Sequence, residues 1–265
     1  MYQNVPKEWK VLSIGNSFAM DTMEHLANIA LSLGVKRVVL GDLYVGGCSI
    51  AMHHAHAMGD MPVYKYYTNE GGGWCCMPEY KISDAVQGER WDVISIQHGS
   101  KDGSFYSDPA SYEHLPALLA YVRGLAWSGA RLAFNMTWVG EPTSTHHEIS
   151  SFGGDTAKMY DDLTAIKREI ILPKKDFDKF IPTGTAVENA RTGYDGLLTR
   201  DTYHLSYGLG RLIASLTLLS TICEKTVDEI NLSLDGVGNY EKALAVESVK
   251  NALINPLTKT QSSLK

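Results

Sequence analysis

Apolar runs of strand length alternate along this chain with longer segments in which apolar residues recur every third or fourth position. Residues 10–14 form a first short apolar run, and 22–33 follow with Met23, Leu26, Ala27, Ile29, Ala30 and Leu33 at helical spacing. Gly34 then stands where a helix C-cap is expected. The same reading predicts strands at 37–45, 91–97, 131–137 and 177–182, and helices at 111–127, 156–171, 206–221 and 239–254. Asn255-Pro256 ends the last helix, because proline disfavours helical geometry in the residue before it. Strand and helix in repetition predict an α/β fold with three α/β/α layers and a five-stranded parallel sheet. In such sheets the chemistry sits beyond the carboxyl ends of the strands.

One stretch breaks the alternation. Residues 51–80 have no clear period, are rich in His, Met, Tyr and Gly, and contain Gly71-Gly72-Gly73-Trp74. The expectation is an insertion, a small hairpin lying over the rim of the site, with Tyr64, Tyr66, Tyr67 and Trp74 arguing against disorder. Residues 258–265 read as a polar, frayed tail. No repeat or linker interrupts the chain, so 1–265 is read as a single domain.

Composition narrows the classes. The net charge of -6 and the absence of a Lys/Arg cluster give no field to hold a nucleic acid. The greasiest stretch, 212–222, is interrupted by Ser215, Thr217, Ser220 and Thr221 and reads as a buried helix rather than a membrane span. Neither a GxxxxGK[ST] nor a GxGxxG loop follows a strand, which argues against nucleotide-dependent chemistry. Adjacent Cys75 and Cys76 make no CxxC motif; pairing of Cys48 with one of them and ordinary thiols, Cys223 included, are both open. Residues 1–6 carry no charged-then-apolar leader, which leaves an exported protein read without its leader, or a cytoplasmic one.

Candidate chemistry lies at the two ends of the alternation. Val11-Leu12-Ser13-Ile14-Gly15-Asn16-Ser17-Phe18 is a short strand running into a tight turn that exposes Ser17. Asp201-Thr202-Tyr203-His204 places a carboxylate three residues before an imidazole. Together they supply a nucleophile, a base and the group that orients the base, the minimum for acyl transfer through a covalent ester. Taken singly, the first is also what a strand-to-helix loop with a capping serine looks like, and the second an ordinary acidic helix start. For the oxyanion, the backbone N–H groups of Ser17 and Gly47 and the side-chain amide of Gln97 fall at strand ends on the same sheet edge.

Gly15-Asn16-Ser17-Phe18 resembles the first block of the SGNH (GDSL-like) hydrolases, with Asn16 where Asp is usual. Gly47 sits where that superfamily carries an oxyanion glycine, and Asp201-Thr202-Tyr203-His204 matches its closing Asp-x-x-His block. The chain departs at the third block: Ile96-Gln97-His98-Gly99-Ser100 replaces a Gly-x-Asn-Asp turn, so Gln97 would have to act as third donor. Ile181-Pro182-Thr183-Gly184-Thr185-Ala186 and Asn189-Ala190-Arg191 are similar to an uncharacterised bacterial branch of that superfamily. The resemblance implies a flavodoxin-like three-layer fold, esterase chemistry with no metal or other cofactor, and export. It also implies a carbohydrate ester, with a small acyl group such as acetyl, as substrate.

Other clusters offer rivals. His53, His54 and His56 with His146 and His147 suggest a metal-dependent hydrolase, although no HExxH is present. If the insertion covers the site, His53, His54, Tyr64, Tyr67 and Trp74 are candidates to touch substrate, with Trp138 and Arg191 on the rim. His98, with Asp102 or Asp108, is a second candidate base. The irregular third block also fits a non-catalytic carbohydrate-binding protein on a degenerate hydrolase scaffold. Oligomeric state is not legible.

Overall fold

The computed structural model describes residues 7–71, 73–99, 105–224, 228 and 232–264. Ten α-helices lie among them: α1 (Ser17–Met23), α2 (Leu26–Ser32), α3 (Ile50–Met58), α4 (Ile82–Gln87), α5 (Leu115–Leu125), α6 (His147–Ser151), α7 (Thr156–Ile166), α8 (Thr183–Arg191), α9 (Leu209–Cys223) and α10 (Asn239–Ile254). The strands are β1 (Glu8–Gly15), β2 (Arg37–Tyr44), β3 (Tyr64–Asn69), β4 (Cys75–Tyr80), β5 (Val93–Ile96), β6 (Arg131–Asn135) and β7 (Lys179–Ile181). They form one sheet in the order β4-β3-β2-β1-β5-β6-β7.

The five expected parallel strands are present as β2-β1-β5-β6-β7. The sheet has two more strands than expected because residues 64–80 extend it past β2 as an antiparallel hairpin. The insertion therefore builds the sheet edge instead of covering the rim. Its first part is α3, capped by Ser49 Oγ, which accepts the Met52 N–H at 3.2 Å.

Apolar side chains on the two sheet faces build two cores. One gathers Val11, Val38, Leu40 and Val93 under α1, α2 and the almost wholly buried α9. The other gathers Leu12, Ile14, Leu43 and Ile94 against α4 and α5. Such burial on both faces is what a central parallel strand requires, and β1 has it from Val11 onward. From β1 the chain turns one way to β2 and later resumes on the other side at β5. The carboxyl end of β1 is thus the switch point where a crevice opens.

The single helix expected over 22–33 is two helices, and the first begins earlier. Asn16 Oδ1 accepts the Phe18 N–H at 3.0 Å and starts α1 directly after β1. The tail is held, not frayed: the Thr260 N–H donates to Asn189 Oδ1 at 2.6 Å and the Ser262 N–H to Thr192 Oγ1 at 2.7 Å. All four cysteines are free, so the pairing left open above does not form. No helix among the described residues is long and apolar enough to cross a membrane.

Candidate active site

Ser17 is the first residue of α1, immediately beyond β1. Its Oγ lies 2.7 Å from His204 Nε2, across 187 residues of sequence. His204 Nδ1 lies 2.6 Å from Asp201 Oδ2, and the His204 backbone N–H donates to Asp201 Oδ1 at 2.7 Å. An ionised carboxylate can only accept, so Nδ1 carries the proton and Nε2 presents its lone pair to the serine hydroxyl. Partial burial works to raise the Asp201 pKa, but hydrogen bonds from the His204 ring and backbone outweigh it and hold the carboxyl below its usual value. The structure thus brings the nucleophile, base and orienting acid expected from sequence into one line.

Several contacts that sequence reasoning missed fix this line. Asp21 lies one turn after Ser17 on α1 and is fully buried. Its carboxylate accepts from Arg200 Nη1 at 2.9 Å, Arg211 Nε at 2.8 Å and the Leu205 N–H at 2.9 Å. The segments before and after Asp201–His204 are therefore tied to the helix that carries Ser17. Thr202, between the two, has φ +74, a left-handed conformation costly for a β-branched residue. The Glu141 N–H holds its carbonyl at 2.7 Å, and its hydroxyl donates to Ser144 Oγ at 3.0 Å. The signal in sequence was an Asp four residues past the serine; its partners, 179 to 190 residues away, left none.

A cleft of about 370 Å³ opens over Ser17. Phe18, Tyr44, Tyr106 and Tyr203 line it, with Gly47 and His204. His146 and His147 also face it, and among the described residues no Lys, Arg, Asp or Glu does. Burial, followed by the nearby His147 and His204, lowers the His146 pKa and favours its neutral form. Gly47 has φ +65, which a glycine adopts without strain, and Gly99 crosses close behind it.

Gln97 does not reach the cleft. It is 1% exposed; its Nε2 donates to Asn16 Oδ1 at 2.8 Å and its Oε1 accepts from Asn135 Nδ2 at 3.2 Å. The expected third oxyanion donor is therefore spent inside a buried amide network that braces the α1 cap. Asn16 Nδ2 is likewise engaged, with the Cys48 and His98 carbonyls at 3.3 Å.

None of the five expected substrate contacts lines the cleft. Trp138 is buried, stacks on Phe18 with centroids 4.4 Å apart and donates Nε1–H to the Tyr203 carbonyl at 2.7 Å, so it supports the His204 loop from beneath. Arg191 pairs with Glu141 at 2.7 Å and Glu188 at 3.0 Å. His54 stacks on His114. Tyr67 stands behind Tyr44, and Trp74 packs on the core, because the hairpin that carries them joins the sheet edge.

The rival clusters are also placed. His53 Nδ1 and His56 Nδ1 converge on the Tyr64 hydroxyl at 2.8 and 3.2 Å. Among the described residues, no group of three or more His, Cys, Asp or Glu could hold a metal ion. His98 is buried against Tyr106 and Tyr112 and does not face the cleft. Asp108 caps a short turn by accepting the Ala110 N–H, and Asp102 lies outside the described residues.

Fold and site together define a three-layer α/β protein with a Ser–His–Asp line at the switch point of its sheet. The chain belongs to the family described as domain of unknown function (DUF4886), which matches residues 10–252. A crystal structure of a DUF4886 family protein from Bacteroides uniformis is 29% identical and superposes with a TM-score of 0.90, covering 97% of this chain and 100% of that one. An acetylxylan esterase from Geobacillus stearothermophilus is 16% identical with a TM-score of 0.49, covering 81% of this chain and 94% of that one. An α/β hydrolase enzyme from the metagenome of Lake Arreo, Spain, is 12% identical with a TM-score of 0.49, covering 81% and 95%. No curated protein matches the sequence.

Proposed function

We propose that this protein is a serine esterase of the SGNH type that removes a small acyl group, acetyl in the first instance, from a carbohydrate. The observation that carries the reading is the continuous hydrogen-bonded line Ser17–His204–Asp201 at the floor of an open cleft. In this mechanism Ser17 Oγ attacks the acyl carbon as its proton passes to His204 Nε2. The carbonyl electron pair moves onto oxygen, where the backbone N–H groups of Ser17 and Gly47 receive it. Collapse expels the alkoxide, which takes the proton back from Nε2. Water, deprotonated by the same imidazole, then attacks the acyl-serine and releases the carboxylic acid.

The cleft supports an uncharged, hydroxyl-bearing alcohol. Its volume of about 370 Å³ exceeds the need of an acetyl group, and its rings offer flat faces for a sugar. Ser17→Ala tests the reading on an aryl acetate and on acetylated oligosaccharides. Loss of hydrolysis and of fluorophosphonate labelling in a folded variant is expected. Full hydrolysis by that variant overturns the assignment of the nucleophile, and glycan binding without turnover by the wild type favours a binding protein.

A further inference from the structure

Two backbone donors can hold an oxyanion, and the side-chain amide expected to add a third is committed elsewhere: Gln97 donates to Asn16 from within the protein. Another side-chain donor stands in the cleft. Tyr44 is the last residue of β2 and lies in register with Gly15, two residues before Ser17. It lines the cleft with Ser17, Gly46 and Gly47. A Cβ built on Gly46 would sit 3.3 Å from the Tyr44 hydroxyl, so that oxygen lies beside the residue whose successor offers its N–H to the oxyanion.

The Tyr44 ring is held while its hydroxyl is left uncommitted. Tyr67 packs edge-on against the ring at 6.0 Å and 89°. The hydroxyl makes no hydrogen bond to any described residue. Burial first, then the nearby Asp42 and Tyr203, raises its pKa above the usual phenol value, so it stays protonated and able to donate. A protonated phenol at the edge of a half-buried cleft is suited to meet negative charge that develops there.

We infer that the Tyr44 hydroxyl is the third oxyanion donor, a catalytic residue that replaces the amide Gln97 cannot supply. The inference rests on the esterase reading. Tyr44 forms no covalent bond and gives up no proton; its O–H points to the carbonyl oxygen as the carbonyl electron pair moves there and releases that interaction when the intermediate collapses.

Tyr44→Phe keeps the ring and its packing and removes the donor alone. With an aryl acetate, kcat falls about 10²-fold while KM holds. Phosphonylation of Ser17 by a fluorophosphonate slows in parallel, because the phosphonyl oxygen occupies the same position. The thermal midpoint of the variant stays at the wild-type value. An active wild type with an unchanged Tyr44→Phe variant overturns the inference alone, as does a raised KM at constant kcat, which would make Tyr44 a ground-state contact. A wild type that is neither turned over nor labelled overturns the esterase reading and this inference with it.

Discussion

Asp21 Oδ2 accepts the backbone N–H of Leu205 at 2.9 Å, which joins the helix that begins at Ser17 to the residue that follows His204. The two halves of the site are therefore fastened twice: at the surface of the cleft by Ser17–His204, and beneath it by a buried carboxylate that also takes Arg200 and Arg211.

Asp21→Asn keeps the shape of the side chain and removes its charge. Arg200 then loses its counter-ion and Arg211 keeps only Glu24 at 3.5 Å, at an expected cost of about 3 kcal/mol in stability. The His204 loop loosens, so kcat falls while KM changes little. Urea denaturation and initial rates measure both; an unchanged denaturation midpoint would show that the clamp carries no weight.

Gly99→Ala tests the backbone crossing behind Gly47. Its Cβ would fall 2.1 Å from the Cys48 carbonyl oxygen and 2.5 Å from that of Gly47. Relief requires the turn that presents the Gly47 N–H to move, with about 1–3 kcal/mol of lost stability and a lower kcat. Gly124→Ala serves as the control: it lies in α5 with nothing near its Cβ and should gain up to about 1 kcal/mol with activity unchanged. Equal melting behaviour of the two variants would contradict the crossing.

Arg191→Ala should act on stability and not on substrate affinity. The substitution leaves Glu141 and Glu188, both buried, without their cation, at a cost of about 3 kcal/mol. KM for an acetylated sugar should stay constant in the folded variant. A raised KM at wild-type stability would return Arg191 to the substrate.

His53 makes stability depend on acid. Burial, with a smaller contribution from His56, pushes its imidazole pKa down to about 3 from 6.5. The folded chain keeps His53 neutral, while the unfolded chain takes up a proton below about pH 6.5. This contribution is therefore whole above pH 6.5 and shrinks as pH falls toward 3, by about 2 kcal/mol at pH 5. Denaturation midpoints at neutral pH and about pH 5 should diverge less in His53→Gln than in the wild type; identical divergence would remove His53 as the source.

Much of this architecture was readable because burial leaves a period. α10 runs over Asn239–Ile254, ended where the closing Asn255-Pro256 predicts, and the five parallel strands show as short apolar runs. The hairpin left no such trace. β4 is the outermost strand and most of its residues are exposed, so no alternation marks it, and α3 spends its positions on histidines. α8 is buried almost throughout yet built from Thr, Gly, Glu and Asn as much as from apolar residues, so it carries no apolar stripe. Within the site, residue type and spacing pointed to Ser17, Asp201 and His204. Position at a strand end could not say which neighbour would claim the Gln97 amide, since Asn16 and Asn135 reach it only after folding.

The separation of 187 positions between the serine hydroxyl and its imidazole also sets an order in time. During synthesis Ser17 leaves the ribosome early and meets no base until the segment bearing His204 has followed it out. Under the esterase reading, a nascent chain that still lacks the His204 segment carries a serine with no base beside it and is silent toward esters.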